Sequence, residues 1–296
     1  MTGMVNITVL ANCQAPYIAR AMELLNPTIR ARNVVVFQAS ADKASQYRTM
    51  METSDFVFHF NVKPGFAVPE LEAAKVKALV GERSRTITNL YFRGLHPDLC
   101  YVGPMNRRTI GPFGDYHSRA VIAAYRLGLP PAAALKILNT PNFMEALGYR
   151  AVFRDSISDL KTRDTELDIG FADQMETLLL GSALPMYTFN HPAPWLILAF
   201  ARFILESVGL PVDDVPNEIL PAWLLNGPVL PVLPTLREWF GLPYSLGRWK
   251  PPGTNDWLST EAAVTLLTQS YATAAPESLR FENDTEFLER FRSVAV

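Results

Sequence analysis

The stretch ITVLANCQAPYIARAMELL, Ile7 to Leu25, changes period once. Ile7-Thr8-Val9-Leu10 is a short apolar run of the kind that fills a strand buried on both faces. From Gln14 onward Ile18, Met22 and Leu25 recur at helical spacing. A buried strand feeding directly into an amphipathic helix is the opening half of a βαβ unit. One of the chain's two cysteines, Cys13, stands at the joint.

The alternation continues outward from that joint. Strands are predicted over Val5–Ala11, Asn33–Gln38, Asp55–Phe60 and Thr86–Tyr91, with helices over Gln14–Leu25, Asp42–Met51 and Val68–Val80. The fold class is therefore α/β, with a mostly parallel sheet of Rossmann or SGNH-like kind and right-handed crossovers. After about residue 112 helices dominate: Tyr116–Leu127, Pro131–Leu138, a segment near Ala151–Leu160, Ile169–Leu180, Pro194–Val208 and Thr260–Tyr271. The chain accordingly divides into an α/β subdomain, residues 1–112, and a helical and loop-rich part, residues 113–296. Prolines recur every few residues between Pro211 and Pro252, which forbids long helices and central strands there. The same segment keeps Trp223, Leu224, Leu225, Trp239, Phe240 and Trp249, too many large apolar residues for a disordered linker, so an ordered wall is expected.

Bulk properties exclude several classes. At 296 residues, 49% hydrophobic and 19% charged, the chain can bury a sizeable core. A net charge of −2 gives no global field that would attract nucleic acid or an anionic membrane. Cys13 and Cys100 can form neither a disulfide framework nor a metal-type spacing, and no metal is expected. The opening MTGMVNITVL lacks a basic segment followed by a long apolar one, and Trp195–Leu205 is too short to span a bilayer and contains Arg202. A soluble cytoplasmic protein is expected.

In open α/β sheets ligands bind beyond the carboxyl ends of the strands, which is where Cys13 is placed. The helix after it offers backbone N–H groups and a positive dipole end, conditions that favour thiolate. Asn12 and Gln14 add amide donors for a developing oxyanion. The triplet reads as a nucleophile with its oxyanion donors, as a docking point for a thioester, or as a small buried residue. Of the four histidines, His59 lies within a strand and reads as structural, and His96 lies in a turn with Asp98 two residues on. His117 and His191 each stand just before or at the start of a predicted helix, where an imidazole reaches out as a general base or caps the helix locally. Arg107-Arg108, with Arg150, Arg154, Lys161 and Arg163 downstream, can hold phosphates or form a solvated face. There is no Walker A sequence, no G-x-G-x-x-G, no H-E-x-x-H and, in GPFGDYHS (111–118), no phosphate-cradle spacing.

Asn12-Cys13-Gln14 after the first strand, Asp115-Tyr116-His117-Ser118 opening a helix, Asn190-His191-Pro192 before an apolar helix, and LYFRGLHPDLCYVG (90–103) together resemble the WcbI-like polysaccharide-biosynthesis family. The resemblance spans roughly residues 5 to 210. The glycine usual before N-C-Q in that family is Ala11 here. The resemblance implies a cradle of an α/β subdomain and a helix-and-loop bundle that binds coenzyme A or acetyl-coenzyme A. It also implies acetyl transfer to a sugar hydroxyl in capsule or other surface polysaccharide synthesis, beside partner enzymes of that assembly. On this reading Cys13, His117 and His191 are the catalytic candidates, with His117 favoured as base and Asp115 orienting it. Asn12, Gln14, Tyr116, Asn190, Arg107 and Arg108 are the candidates for holding the cofactor. Two other readings stand beside it: an SGNH-like cysteine esterase or thioesterase, and a non-catalytic module binding coenzyme A or polysaccharide.

Overall fold

A computed structural model of the chain describes residues 3–104, 107–181, 183–216 and 226–295. In chain order its first elements are β1 (Val5–Ala11), α1 (Ala15–Leu25), β2 (Ile29–Val35), α2 (Ala44–Glu52), β3 (Phe56–His59), α3 (Ala73–Val80), β4 (Ser84–Thr86), β5 (Leu99–Cys100) and β6 (His117–Ser118). Helices follow: α4 (Arg119–Arg126), α5 (Pro131–Leu138), α6 (Pro141–Ala146), α7 (Tyr149–Asp164), α8 (Ala172–Leu179), α9 (Pro194–Ser207), α10 (Pro234–Phe240), α11 (Thr260–Tyr271) and α12 (Asp284–Ala295). The protein is mixed α/β. Trp223, Leu224 and Leu225 lie outside the described residues. No helix among the described residues is long and apolar enough to cross a membrane.

The chain forms two units that interleave in sequence. A sheet unit takes Met1–Leu90, Asp159–Leu178 and His191–Pro221; a helical unit takes Tyr91–Ser158, Leu179–Asn190 and Ala222–Val296. The chain thus first leaves the sheet unit at Leu90, not near residue 112, and returns to it twice.

In the sheet unit four parallel strands lie in the order β2-β1-β3-β4. Leu10, Val34 and Val57 turn one face toward Tyr47 and Met51 of α2 and Val76 and Val80 of α3. By strand alternation Ile7 and Val9 of β1 face the other way, toward the side where α1 packs on β1, β2 and α9. Ile18, Met22 and Leu25 of α1 are wholly buried there, each contributing about 1.5–3 kcal/mol. The segment before α8 closes the β4 edge: Ile169 N donates to the Thr86 carbonyl at 3.0 Å, and Asp168 accepts from Thr86 N at 2.8 Å.

Two predicted strands sit elsewhere than expected. β2 begins at Ile29 and ends at Val35, with a single 3₁₀ turn over Val36–Gln38. As an edge strand it tolerates Arg30, Arg32 and Asn33, which interrupt the apolar signal. β4 covers only Ser84–Thr86; Ile87 keeps one more bond to the His59 carbonyl, 2.9 Å, before the chain turns off.

In the helical unit β5 and β6 form a two-stranded antiparallel ribbon, and α4, α5, α11 and α12 pack together. The predicted helix from Tyr116 starts three residues later, because Ser118 is its N-cap and accepts from Val121 N at 3.2 Å. Among the described residues the proline-rich wall contains one further helix, α10, with Pro234 at its start and Gly241 in the left-handed conformation at its end (φ 62°).

Candidate functional site

β1 is flanked by β2 and β3, so its carboxyl end is the topological switch point of the sheet, and Asn12-Cys13-Gln14 sits there. Ala11, wholly buried at the strand end, fills the position with its methyl group. The joint is tied down internally. Asn12 Oδ1 accepts from Gln14 N at 2.8 Å, and the Asn12 carbonyl accepts from Ala15 N at 3.0 Å. Asn12 Nδ2 donates to Asn89 Oδ1 at 3.2 Å, and Gln14 Nε2 donates to the Leu90 carbonyl at 3.0 Å. Gln14 is buried. The first turn of α1 therefore directs its donors inward, and Pro16 supplies none, so the two amides act as braces of the joint.

Cys13 is half-buried and Cys100 buried. Burial pushes the Cys13 thiol up, against a smaller opposing pull from its own backbone N–H. This runs against the expectation of favoured thiolate: the direction is upward, because desolvation outweighs that backbone hydrogen bond. The Tyr17 phenol is raised too, by burial and by the neighbouring Cys13. Burial drives Cys100 higher still. Limited iodoacetamide labelling followed by mass spectrometry is expected to modify Cys13 first, faster as pH rises toward 9. Prior labelling of Cys100 would contradict this ordering of the two sites.

His117 does not reach outward. It lies in β6, 1% exposed, with Nδ1 3.0 Å from the Tyr271 hydroxyl and Nε2 3.0 Å from the Thr109 carbonyl. Burial lowers its pKa; the Thr109 carbonyl and Asp115 oppose this. Asp115 does not orient the ring; it pairs with Arg108 at 3.3 Å. The loop glycines serve packing: a Cβ on Gly111 would meet the His117 ring at 2.9 Å, and Gly114 takes a positive φ of 70° in the turn. The sequence expectation of His117 as the reaching base is thus corrected, since both ring nitrogens are already engaged inside the unit.

His59 and His96 are interior as well. His59 sits 2.7 Å from Ser84 Oγ. His96 lies between the Pro231 and Met186 carbonyls, and burial lowers its pKa to about 4. His191, at the entry to α9, is half-buried.

The structure gathers three expected cofactor-holding residues around one that local pattern did not single out, Tyr101. Tyr116 donates its hydroxyl to Asn190 Oδ1, and Asn190 Nδ2 donates to the Tyr101 hydroxyl at 3.1 Å. The Arg108 guanidinium lies 3.4 Å from the centre of the Tyr101 ring, and Phe189 meets the ring edge-to-face at 4.9 Å. Arg107 is exposed. Asn12, Cys13, Gln14 and His191 belong to the sheet unit, and Arg107, Arg108, Tyr116, His117 and Asn190 to the helical unit. Among the described residues no group of three or more His, Cys, Asp or Glu could hold a metal ion.

A family model described as polysaccharide biosynthesis enzyme WcbI matches residues 6–213. A solved structure described as WcbI, a novel polysaccharide biosynthesis enzyme, native and without a disulfide bond between coenzyme A and a cysteine, is similar with a TM-score of 0.76 at 14% identity. The match covers 98% of this chain and 95% of that one. No curated protein matches the chain. The family match extends over most of the sequence, from β1 past α9, and the chain belongs to the WcbI family of polysaccharide biosynthesis enzymes.

Proposed function

We propose that the protein is a coenzyme A-dependent O-acyltransferase, with acetyl as the acyl group, acting on a sugar hydroxyl during capsule or other surface polysaccharide synthesis. One observation carries the reading: a half-buried cysteine at the switch point of a parallel sheet. The similar WcbI structure is described in terms of a possible disulfide between coenzyme A and a cysteine. Of the two cysteines here, Cys100 is buried and Cys13 is the one positioned to meet a thiol ligand.

In the proposed reaction the sugar hydroxyl attacks the thioester carbonyl, a base takes its proton, and coenzyme A leaves as thiol. His191 serves as that base, since the other three histidines are interior. Cys13 lines the thioester end, and the acyl group passes directly to the sugar. Arg108, Tyr116 and Asn190 hold ligand on the helical unit.

The test uses the full chain. Coenzyme A at a hundred times its dissociation constant is expected to stabilise the fold by about 2.7 kcal/mol, read as a rise in melting temperature. Acetyl-coenzyme A should release free thiol only when a saccharide acceptor is present. Release without acceptor would favour the esterase or thioesterase reading. A shift without any release would favour the binding module, and no shift at millimolar coenzyme A would end the proposal. Cys13→Ser should retain transfer; its complete loss would indicate a covalent acyl-cysteine.

A further inference from the structure

The two amides that bracket Cys13 reach to two consecutive residues beyond β4. Asn12 Nδ2 donates to Asn89 Oδ1 at 3.2 Å, and Gln14 Nε2 donates to the Leu90 carbonyl at 3.0 Å. β3 lies between β1 and β4 in the sheet, so both bonds join the outer two segments beyond its carboxyl end. Cys13 is the residue between the two braces, and Asn89 is a residue that one of them holds. The pair of bonds therefore keeps Asn89 close to Cys13, within the sheet unit.

A backbone group fixes the direction of each amide in turn. Gln14 N can only donate, and it does so to Asn12 Oδ1 at 2.8 Å. Asn12 must then present its Nδ2 to Asn89, and Asn89 must answer with Oδ1. That leaves Asn89 Nδ2, with both its hydrogens, on the other branch of the amide. It donates to no protein group among the described residues, and Asn89 is only half-buried. The main chain at Asn89 is held separately, its carbonyl accepting from Arg163 at 3.4 Å. An amide of locked direction with an unused pair of N–H groups suits an oxygen that gains charge during a reaction. Such a donor needs no reorientation as the charge develops.

We infer that Asn89 is a catalytic residue, its Nδ2 donating to the thioester carbonyl oxygen of the acyl donor and most strongly when that oxygen is charged. The inference rests on the acyl-transfer reading of this site. The sugar oxygen bonds to the carbonyl carbon and its proton passes to His191. The carbonyl π electrons move onto oxygen, where Asn89 meets them. Their return breaks the carbon–sulfur bond, and the departing thiolate takes the proton from His191 to leave as coenzyme A thiol. Asn12 is the positioning residue that keeps the Asn89 amide from turning over.

The experiment uses the full chain and acetyl-coenzyme A carrying carbon-13 at the carbonyl. Infrared difference spectra read the stretch of the bound carbonyl with no acceptor present. Thiol release with methyl glucoside or methyl mannoside as acceptor reads turnover. The parent is expected to move the stretch to lower frequency. Asn89→Asp keeps an oxygen for Asn12 and removes the donor; it should abolish that shift and lower kcat by roughly 10²–10³-fold with KM little changed. Asn89→Ala should act in the same direction, and urea unfolding shows that the variants compared are folded. Asn12→Asp still accepts from Gln14 N but draws the Asn89 N–H groups toward itself, so it too should lose the shift. A parent-like stretch in the folded Asn89 variants overturns the inference, as does a change in unfolding midpoint alone. Turnover that ignores both Asn89 variants removes this inference and leaves acyl transfer standing. A stretch that depends on Asn89, without transfer to either sugar, counts against acyl transfer alone. If acetyl-coenzyme A does not bind the parent, both fall.

Discussion

His191→Ala is expected to lower acyl-transfer turnover by roughly 10²–10⁴-fold, the usual contribution of a general base, while coenzyme A binding changes little. The argument is one of access. His59, His96 and His117 are each at most 2% exposed, and their ring nitrogens face protein partners. To take a proton from a sugar hydroxyl, His117 would have to break from Tyr271 or Thr109. His117→Ala should therefore act on stability, costing about 2–4 kcal/mol through the lost ring and the polar groups left behind. Turnover from thiol release and unfolding in urea separate the two variants. Full turnover in His191→Ala, or lost turnover with unchanged stability in His117→Ala, would restore His117 as the base.

Asp98→Ala is expected to be the most destabilising single substitution in the helical unit, at about 3–5 kcal/mol. The carboxylate is buried and accepts from Ser118 Oγ, the Tyr149 hydroxyl and Ala120 N, the last at 2.9 Å. Burial raises its pKa, and those three donors oppose the rise. Removing it strands Tyr149 and Ser118, both wholly buried, and disturbs the residue that caps α4. Asp98→Asn keeps the shape and one acceptor, so a smaller loss is expected. A midpoint for Asp98→Ala corresponding to less than about 1 kcal/mol of destabilisation would show that the network contributes little.

Most of the fold was legible where one period ran uninterrupted. β1, α5 and α11 lie within the bounds their apolar spacing indicated, and α9 within one residue at its end. The signal failed where polar residues are tolerated by position, as in the edge strand β2, or where a helix is short. α10 carried a readable start and stop in Pro234 and Gly241, masked by the prolines around it. α12 buries Phe287 and Phe291 as an amphipathic helix, a spacing that the sequence reading passed over. The candidate site was legible in part. The position of Cys13 followed from the strand-to-helix change, but the upward direction of its pKa did not, because burial comes from residues distant in sequence. The roles of Tyr101 and Asp98 depend on partners such as Asn190 and Tyr149, and no local spacing encodes such pairings.

The interleaving of the sheet unit sets a schedule for its birth on the ribosome. β1 and α1 emerge first, yet the helix that covers α1 is α9, and about 180 residues separate Ala11 from Pro194. At a synthesis rate of roughly 5–20 residues per second, that interval lasts about 10–40 s. Throughout it the part of α1 that meets α9, unlike the part that packs on β1 and β2, has no native cover, and the nascent chain offers a hydrophobic surface that a holdase chaperone would shield until α9 arrives.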